Sequence, residues 1–187
     1  MSTQTSTAIN GLNADQMFET VGHIKADPTL ARFEFRNSNQ WIDGGHNRST
    51  IHGFYGAGQE DDSRTRPFVF DAGEPPVLLG ANEGANPVEF LLHAMAGCIT
   101  TTIVVHAAAR GIEIETLSTR IVGDLDVQGF LGLDDSVSPA YEKVTIQIDV
   151  KAACSEEELD DLLAFAQSHS PVCDTVMRPV PVVFERA

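Results

Sequence analysis

From Phe90 to Ala109 the chain carries no Asp, Glu, Lys or Arg, and its only polar side chains are His93, Thr100, Thr101, Thr102 and His106. Few folds accommodate so long an uncharged run. The residues at its ends argue for a helix. Asn86 suits an N-cap, Pro87 suits the first helical position, whose N–H has no intrahelical partner, and Glu89 completes something close to a capping box. At the other end Arg110 and Gly111 supply a cation and a left-handed stop. The predicted helix has about 24 residues and a length of about 36 Å. Leu91, Met95, Cys98, Thr102, Val105 and Ala109 recur at helical spacing and share one stripe.

About 20 apolar residues suffice to span a bilayer. Here two histidines and three consecutive threonines dilute the run, and no aromatic or basic belt flanks it. The other home for a helix apolar on every side is the interior of a protein. A chain of 187 residues is short for enclosing such a helix alone. An obligate homodimer is therefore expected to complete its cover, with no membrane involved.

A hydrophobic content of 42% fits one soluble domain with a sizeable core. The net charge of −15 argues against nucleic acid or an anionic membrane as partner, since both call for a basic face. Three cysteines do not make a disulfide framework, and no apolar signal segment follows Met1. A reducing cytoplasm is the expected location.

Residues 1–30 are polar and read as an extension of unclear role, with a short helix over 13–21; residues 31–187 read as a single domain. Strands are expected at 32–35, 40–42, 49–56 and 68–71. After the long helix, Leu117 to Val127 and Tyr141 to Val150 alternate as half-buried strands, separated by a loop over 129–140. Ser155 opens a capped helix whose buried face holds Leu159, Leu162, Leu163 and Ala166. His169-Ser170-Pro171 breaks it before a second short helix, and residues 180–184 close the chain as a strand. This order makes an α+β domain.

The chemistry lies with the thiols. Cys98 sits inside the long helix, and Cys173 follows Pro171 where the last helix begins. Such a pair suits redox work. Burial in an apolar helix disfavours a thiolate, and a nearby guanidinium restores it; Arg48 is the candidate. Attack on a peroxide oxygen releases an alcohol and leaves a sulfenic acid, which condenses with a resolving thiol. Phe54, Phe90 and Met95 are candidates for lining a pocket that prefers organic hydroperoxides. Plainer readings stand beside these: Cys98 as packing, Cys173 as a helix-start residue, Glu89 as a cap, Arg48 as an ion-pair partner, and His93 and His106 as core histidines. Cys154 reads as incidental. Cys98, His169 and Cys173 include zinc-ligand types, but no paired-cysteine spacing supports them, and neither metal nor cofactor is expected.

The segment from Asn86 to Cys98, Arg110-Gly111-Ile112, the strand pair and the turn from Ser170 to Val176 resemble the OsmC/Ohr family, the osmotically inducible protein C and organic hydroperoxide resistance proteins. The resemblance covers residues 40–185. It implies an OsmC-like fold, antiparallel sheets wrapped around long central helices in an intertwined homodimer, with two active sites at the subunit interface. It also implies reduction of an organic hydroperoxide at the expense of a dithiol reductant. Cys98 matches the peroxidatic cysteine. The resolving cysteine of the family stands just before the proline of the later turn, where this chain has Ser170; Cys173 is the nearest thiol. The family's glutamate follows the helix-opening proline, where this chain has Val88, and Glu89 is next. Residues 75–87 hold no arginine; another branch of the family draws its arginine from a glycine-glycine turn, and that resemblance makes Arg48, after Gly44-Gly45, the candidate for the role. The alternative is a non-catalytic small-ligand-binding member with an apolar pocket at the dimer interface.

Overall fold

Two units divide the chain: residues 15–91 form one, and residues 1–14 together with 92–187 form the other. The computed structural model describes residues 8–186. Residues 1–7 of the N-terminal extension therefore lie outside the described residues.

The unit of residues 15–91 begins with helix α1 (Ala14–Ala26), longer than the helix expected at 13–21. Strand β3 (Ser38–Asp43) pairs antiparallel with β4 (His46–Ile51) across the Gly44-Gly45 turn, and β4 pairs in turn with β7 (Phe68–Ala72). The single strand expected over 49–56 is broken at His52-Gly53: β5 (Phe54–Gly56) leaves the sheet and forms its own hairpin with β6 (Gln59–Asp61). Residues 32–35 contribute one bridge, Glu34 to Tyr55, rather than a strand. The loop after β7 folds back tightly. A Cβ on Gly84 would lie 1.9 Å from the Asp71 carbonyl oxygen, so only glycine fits there.

This unit has almost no interior of its own. The buried positions among residues 15–91 are Gly56, Ala72 and Gly73. Trp41 is 68% exposed and Phe68 52%, while every residue of β3 is exposed. An antiparallel sheet normally buries one face. Here β3 is fully exposed and β4 is only half-buried.

The other unit is built differently. Helix α2 (Pro87–Ala109) has the ends expected of it. Val88 N–H donates to Asn86 Oδ1 at 2.9 Å, and Glu89 Oε2 accepts from the Asn86 N–H at 2.9 Å, closing the reciprocal cap. Gly111 ends the helix in the left-handed region at φ 73°. Strands β8 (Ile114–Asp124) and β9 (Lys143–Ala152) form a long hairpin. Leu117 and Ile121 from β8, with Val144, Ile146 and Ile148 from β9, all turn to the core side. Between them, residues 127–131 form helix α3, where a loop was expected: Asp126 caps its start and Gly132, at φ 64°, stops it. Ser155 caps helix α4 (Glu156–His169) with a full capping box, and α5 (Pro171–Met177) follows.

The core of this unit joins Met95, Ile99, Ile103 and Ala107 of α2 to Ile112, to Leu162 and Ala166 of α4, and to Cys173 of α5. The N-terminal segment is fastened to it. Strands β1 (Ala8–Ile9) and β2 (Leu12–Asn13) bracket a turn from which Asn10 donates to the Ile112 carbonyl and accepts from the Ile114 N–H, both at 2.9 Å. The Asn10 amide thus does the work of one strand residue. The strand expected at 180–184 does not form. Val182 is 70% and Phe184 94% exposed, and a strand without a neighbour leaves its backbone groups to water.

Candidate active site

Cys98 lies on α2 between two core residues, Met95 and Ile99, and is itself half-buried. Among the described residues, the Ser170 hydroxyl donates to Cys98 Sγ at 3.2 Å. Ser170 is fully buried, with 0% exposure. It stands at the junction of α4 and α5, where a serine would ordinarily cap the second helix through its side chain. Its hydroxyl does not cap α5. The hydrogen bond goes to sulfur instead.

Cys173 is three residues further on. It is 5% exposed and packs within the core beside the α2 and α4 side chains. Cys154 is half-buried against the same cluster. All three thiols are free.

The remaining candidates are accounted for within their own units. Arg48, on β4, faces Asp71 across the ladder and donates from Nε to Asp71 Oδ1 at 2.9 Å and from Nη2 to Oδ2 at 3.1 Å. His46 Nε2 adds a contact to Oδ1 at 2.8 Å. The Arg48 hydrogen bonds, then that of His46, hold the Asp71 carboxyl below the usual carboxylate range. Glu89 spends a carboxylate oxygen on the α2 cap, and Asn86 Nδ2 also donates to Glu74. Phe54 packs among Phe33 and Phe35 and beneath the Arg64 guanidinium, whereas Phe90 meets Phe70 edge-on at 6.2 Å. Those are two separate aromatic groupings. Met95 is 4% exposed and belongs to the core.

The histidines also differ from expectation. His93 is exposed rather than buried. His106 packs edge-on to Phe165 at 4.7 Å, and Phe165 stacks on His169 at 3.8 Å. Burial first, then the charges of His169 and Arg110, lower the His106 pKa. No group of three metal-ligating side chains converges among the described residues.

A model of the OsmC-like protein family matches residues 80–185, more than half the chain. The chain belongs to the OsmC-like family. Solved structures agree on the fold. An OsmC-like protein from Mycoplasma pneumoniae superposes with a TM-score of 0.60 at 16% identity, covering 77% of this chain and 87% of that one. A putative osmotic stress induced and detoxification response protein from Psychrobacter arcticus gives 0.56 at 15% identity, covering 76% and 88%. An OsmC-like protein of unknown function from Vibrio cholerae gives 0.54 at 13%, covering 76% and 92%. None of the curated proteins matches the chain. The expected α+β OsmC-like fold is therefore the observed one, and the position that the OsmC-like resemblance reserves for a second cysteine is filled by the serine touching Cys98. That serine was visible in the sequence as the residue before Pro171. Its identity pointed only to a missing thiol, and nothing in the pattern marked its hydroxyl as a donor to sulfur.

Proposed function

We propose that this chain is a cysteine-based peroxidase for organic hydroperoxides, with Cys98 as the attacking sulfur. The observation that carries the reading is the buried Ser170 hydroxyl aimed at a half-exposed thiol on the central helix. The hydroxyl fixes the position of the sulfur at 3.2 Å, and a cysteine attacks peroxide as its thiolate. The thiolate attacks the outer peroxide oxygen and the O–O bond breaks. The alkoxide leaves and takes a proton to become the alcohol, and Cys98 is left as sulfenic acid. A thiol reductant then returns it to the start. Arg48 is the proposed source of a supporting cation. Glu89 is proposed to hold the opening of α2 rather than to touch substrate. Three free thiols suit a reducing cytoplasm.

The test is consumption of cumene hydroperoxide in the presence of excess thiol, with one alcohol formed per peroxide consumed. We expect it to exceed hydrogen peroxide turnover by at least about tenfold, because Cys98 lies on an apolar helix beside the core residues Met95 and Ile99. Consumption no faster than the uncatalysed background would leave a ligand-binding protein instead.

The working form is proposed to be a homodimer seamed along α2. By length and composition α2 could cross a membrane, and only 22% of its most apolar stretch is buried within the chain. Val88, Leu91, Ala94, Gly97 and Thr101 form an exposed stripe down it. A methyl on Gly97 would meet no atom within 4 Å. Glycine inside a helix costs about 0.5–1 kcal/mol relative to alanine, and close approach by a second copy of the chain is the proposed reason for its presence. The open faces of the β3-β4-β7 sheet need the same cover. Sedimentation should give twice the chain mass for the wild type. Leu91→Glu should shift it to a single chain, since an unpaired carboxylate in an apolar seam costs several kcal/mol. A monomeric wild type at micromolar concentration would contradict the dimer.

A further inference from the structure

A two-thiol cycle needs a second sulfur that can close on Cys98, and a disulfide demands sulfur atoms about 2.05 Å apart with Cα atoms within roughly 7 Å. What meets the Cys98 sulfur is a hydroxyl, at 3.2 Å. Ser170 cannot resolve a sulfenic acid, because it has no thiol to condense with. Cys173, the next sulfur along α5, is held in the core at 5% exposure among Met95, Ile99 and Leu162. Cys154 is packed against the same cluster from the end of β9. Cys98, unlike Cys173, is only half-buried.

We propose that the chain works as a one-cysteine peroxidase whose Cys98 sulfenic acid is resolved by an external low-molecular-weight monothiol, with Ser170 in the place of a resolving cysteine. The proposal rests on the peroxidase reading and names its reductant class. The external thiol attacks the sulfenic sulfur; a mixed disulfide forms at Cys98 and water leaves. A second thiolate attacks the outer sulfur of that disulfide, releasing the Cys98 thiolate and a small symmetrical disulfide. In sum, one hydroperoxide and two thiols give one alcohol, one disulfide and one water. Two electrons pass from the thiols to the O–O bond.

The resolution step can be read without peroxide. The reduced full chain, carrying Cys154→Ser to silence the third thiol, is treated with one equivalent of the aromatic disulfide DTNB. One thionitrobenzoate should be released, leaving a stable mixed disulfide on Cys98. Release of a second, with a Cys98–Cys173 crosslink in the peptide map, would overturn the proposal; so would no release at all, since Cys98 would then be closed to any external thiol. With cumene hydroperoxide and 2-mercaptoethanol, Cys173→Ala and Cys173→Ser should both turn over within about twofold of wild type, and a tenfold loss in the better-folded of the two would count against it. Ser170→Cys should do the opposite of nothing: after peroxide the introduced thiol should crosslink to Cys98, and turnover should then favour dithiothreitol over the monothiol. A Ser170→Cys chain that oxidises like wild type would show that position 170 does not face the reacting sulfur. Absence of any peroxide consumption with intact DTNB behaviour would defeat the peroxidase reading and leave the single-thiol arrangement standing.

Discussion

Replacing Cys98 with serine should reduce hydroperoxide turnover by at least about a thousandfold while shifting the melting temperature by no more than a few degrees. The two effects part because they draw on different properties of one atom. A hydroxyl is almost never ionised near neutral pH, whereas a free thiol is already a few per cent thiolate and intrinsically far more nucleophilic. The fold makes a smaller demand. Cys98 is half-buried, and its side-chain partner among the described residues is the Ser170 hydroxyl, which can bond an oxygen as readily as a sulfur. Peroxide consumption and thermal unfolded fraction, measured on the same preparation, check both halves. Residual activity within tenfold of wild type would move the chemistry to another residue.

Leu162→Ala should produce the largest loss of stability. Leu162 is 0% exposed on α4 and sits in the core with Ile103 of α2, which is equally enclosed. Truncating such a side chain forfeits its transfer free energy and leaves a cavity, together about 2–5 kcal/mol. Against a total of about 5–15 kcal/mol that is a large share. For a chain of this length the melting temperature should fall by about 5–15 °C. Val182→Ala is the control. Val182 is 70% exposed in the unpaired C-terminal stretch, and its loss should cost under about 0.5 kcal/mol. Equal shifts for the two variants, followed by circular dichroism, would mean that the core lies elsewhere.

Elements whose ends are written in local chemistry could be read from the sequence. Asn86, Pro87, Glu89 and Gly111 bound α2 because caps satisfy backbone groups within a few residues of themselves. Ser155 and Glu158 mark α4 for the same reason. The alternation of β8 and β9 survives because one face of that hairpin is buried. Elements that depend on a neighbour were not legible. Residues 49–56 alternate throughout, yet the ladder with β7 ends at Ile51 and β5 pairs elsewhere. Residues 180–184 are rich in strand formers but pair with no strand among the described residues. The Asn10 clamp joins residues about a hundred positions apart, and no local pattern announces it.

The site follows the same division. Cys98 stands out in the sequence by its place in an uncharged helix, and the structure adds the Ser170 hydroxyl at its sulfur. Glu89 and Arg48 each had a structural reading beside the catalytic one, and their side chains are engaged in the cap and in the Asp71 pair. Cys173 looked suited to redox work from its place before a helix turn, but its direction into the core depends on how α5 docks. The partner of Cys98 was the residue whose identity suggested nothing.

The account stands on Cys98 being the atom that peroxide oxidises, and trapping the sulfenic acid tests that most directly. The reduced chain is exposed to one equivalent of cumene hydroperoxide with dimedone present, digested and mapped by mass spectrometry. The adduct should fall on the peptide containing Cys98, with Cys154 and Cys173 unmodified in the same sample. An adduct on either of those two, or none while peroxide is consumed, would contradict it.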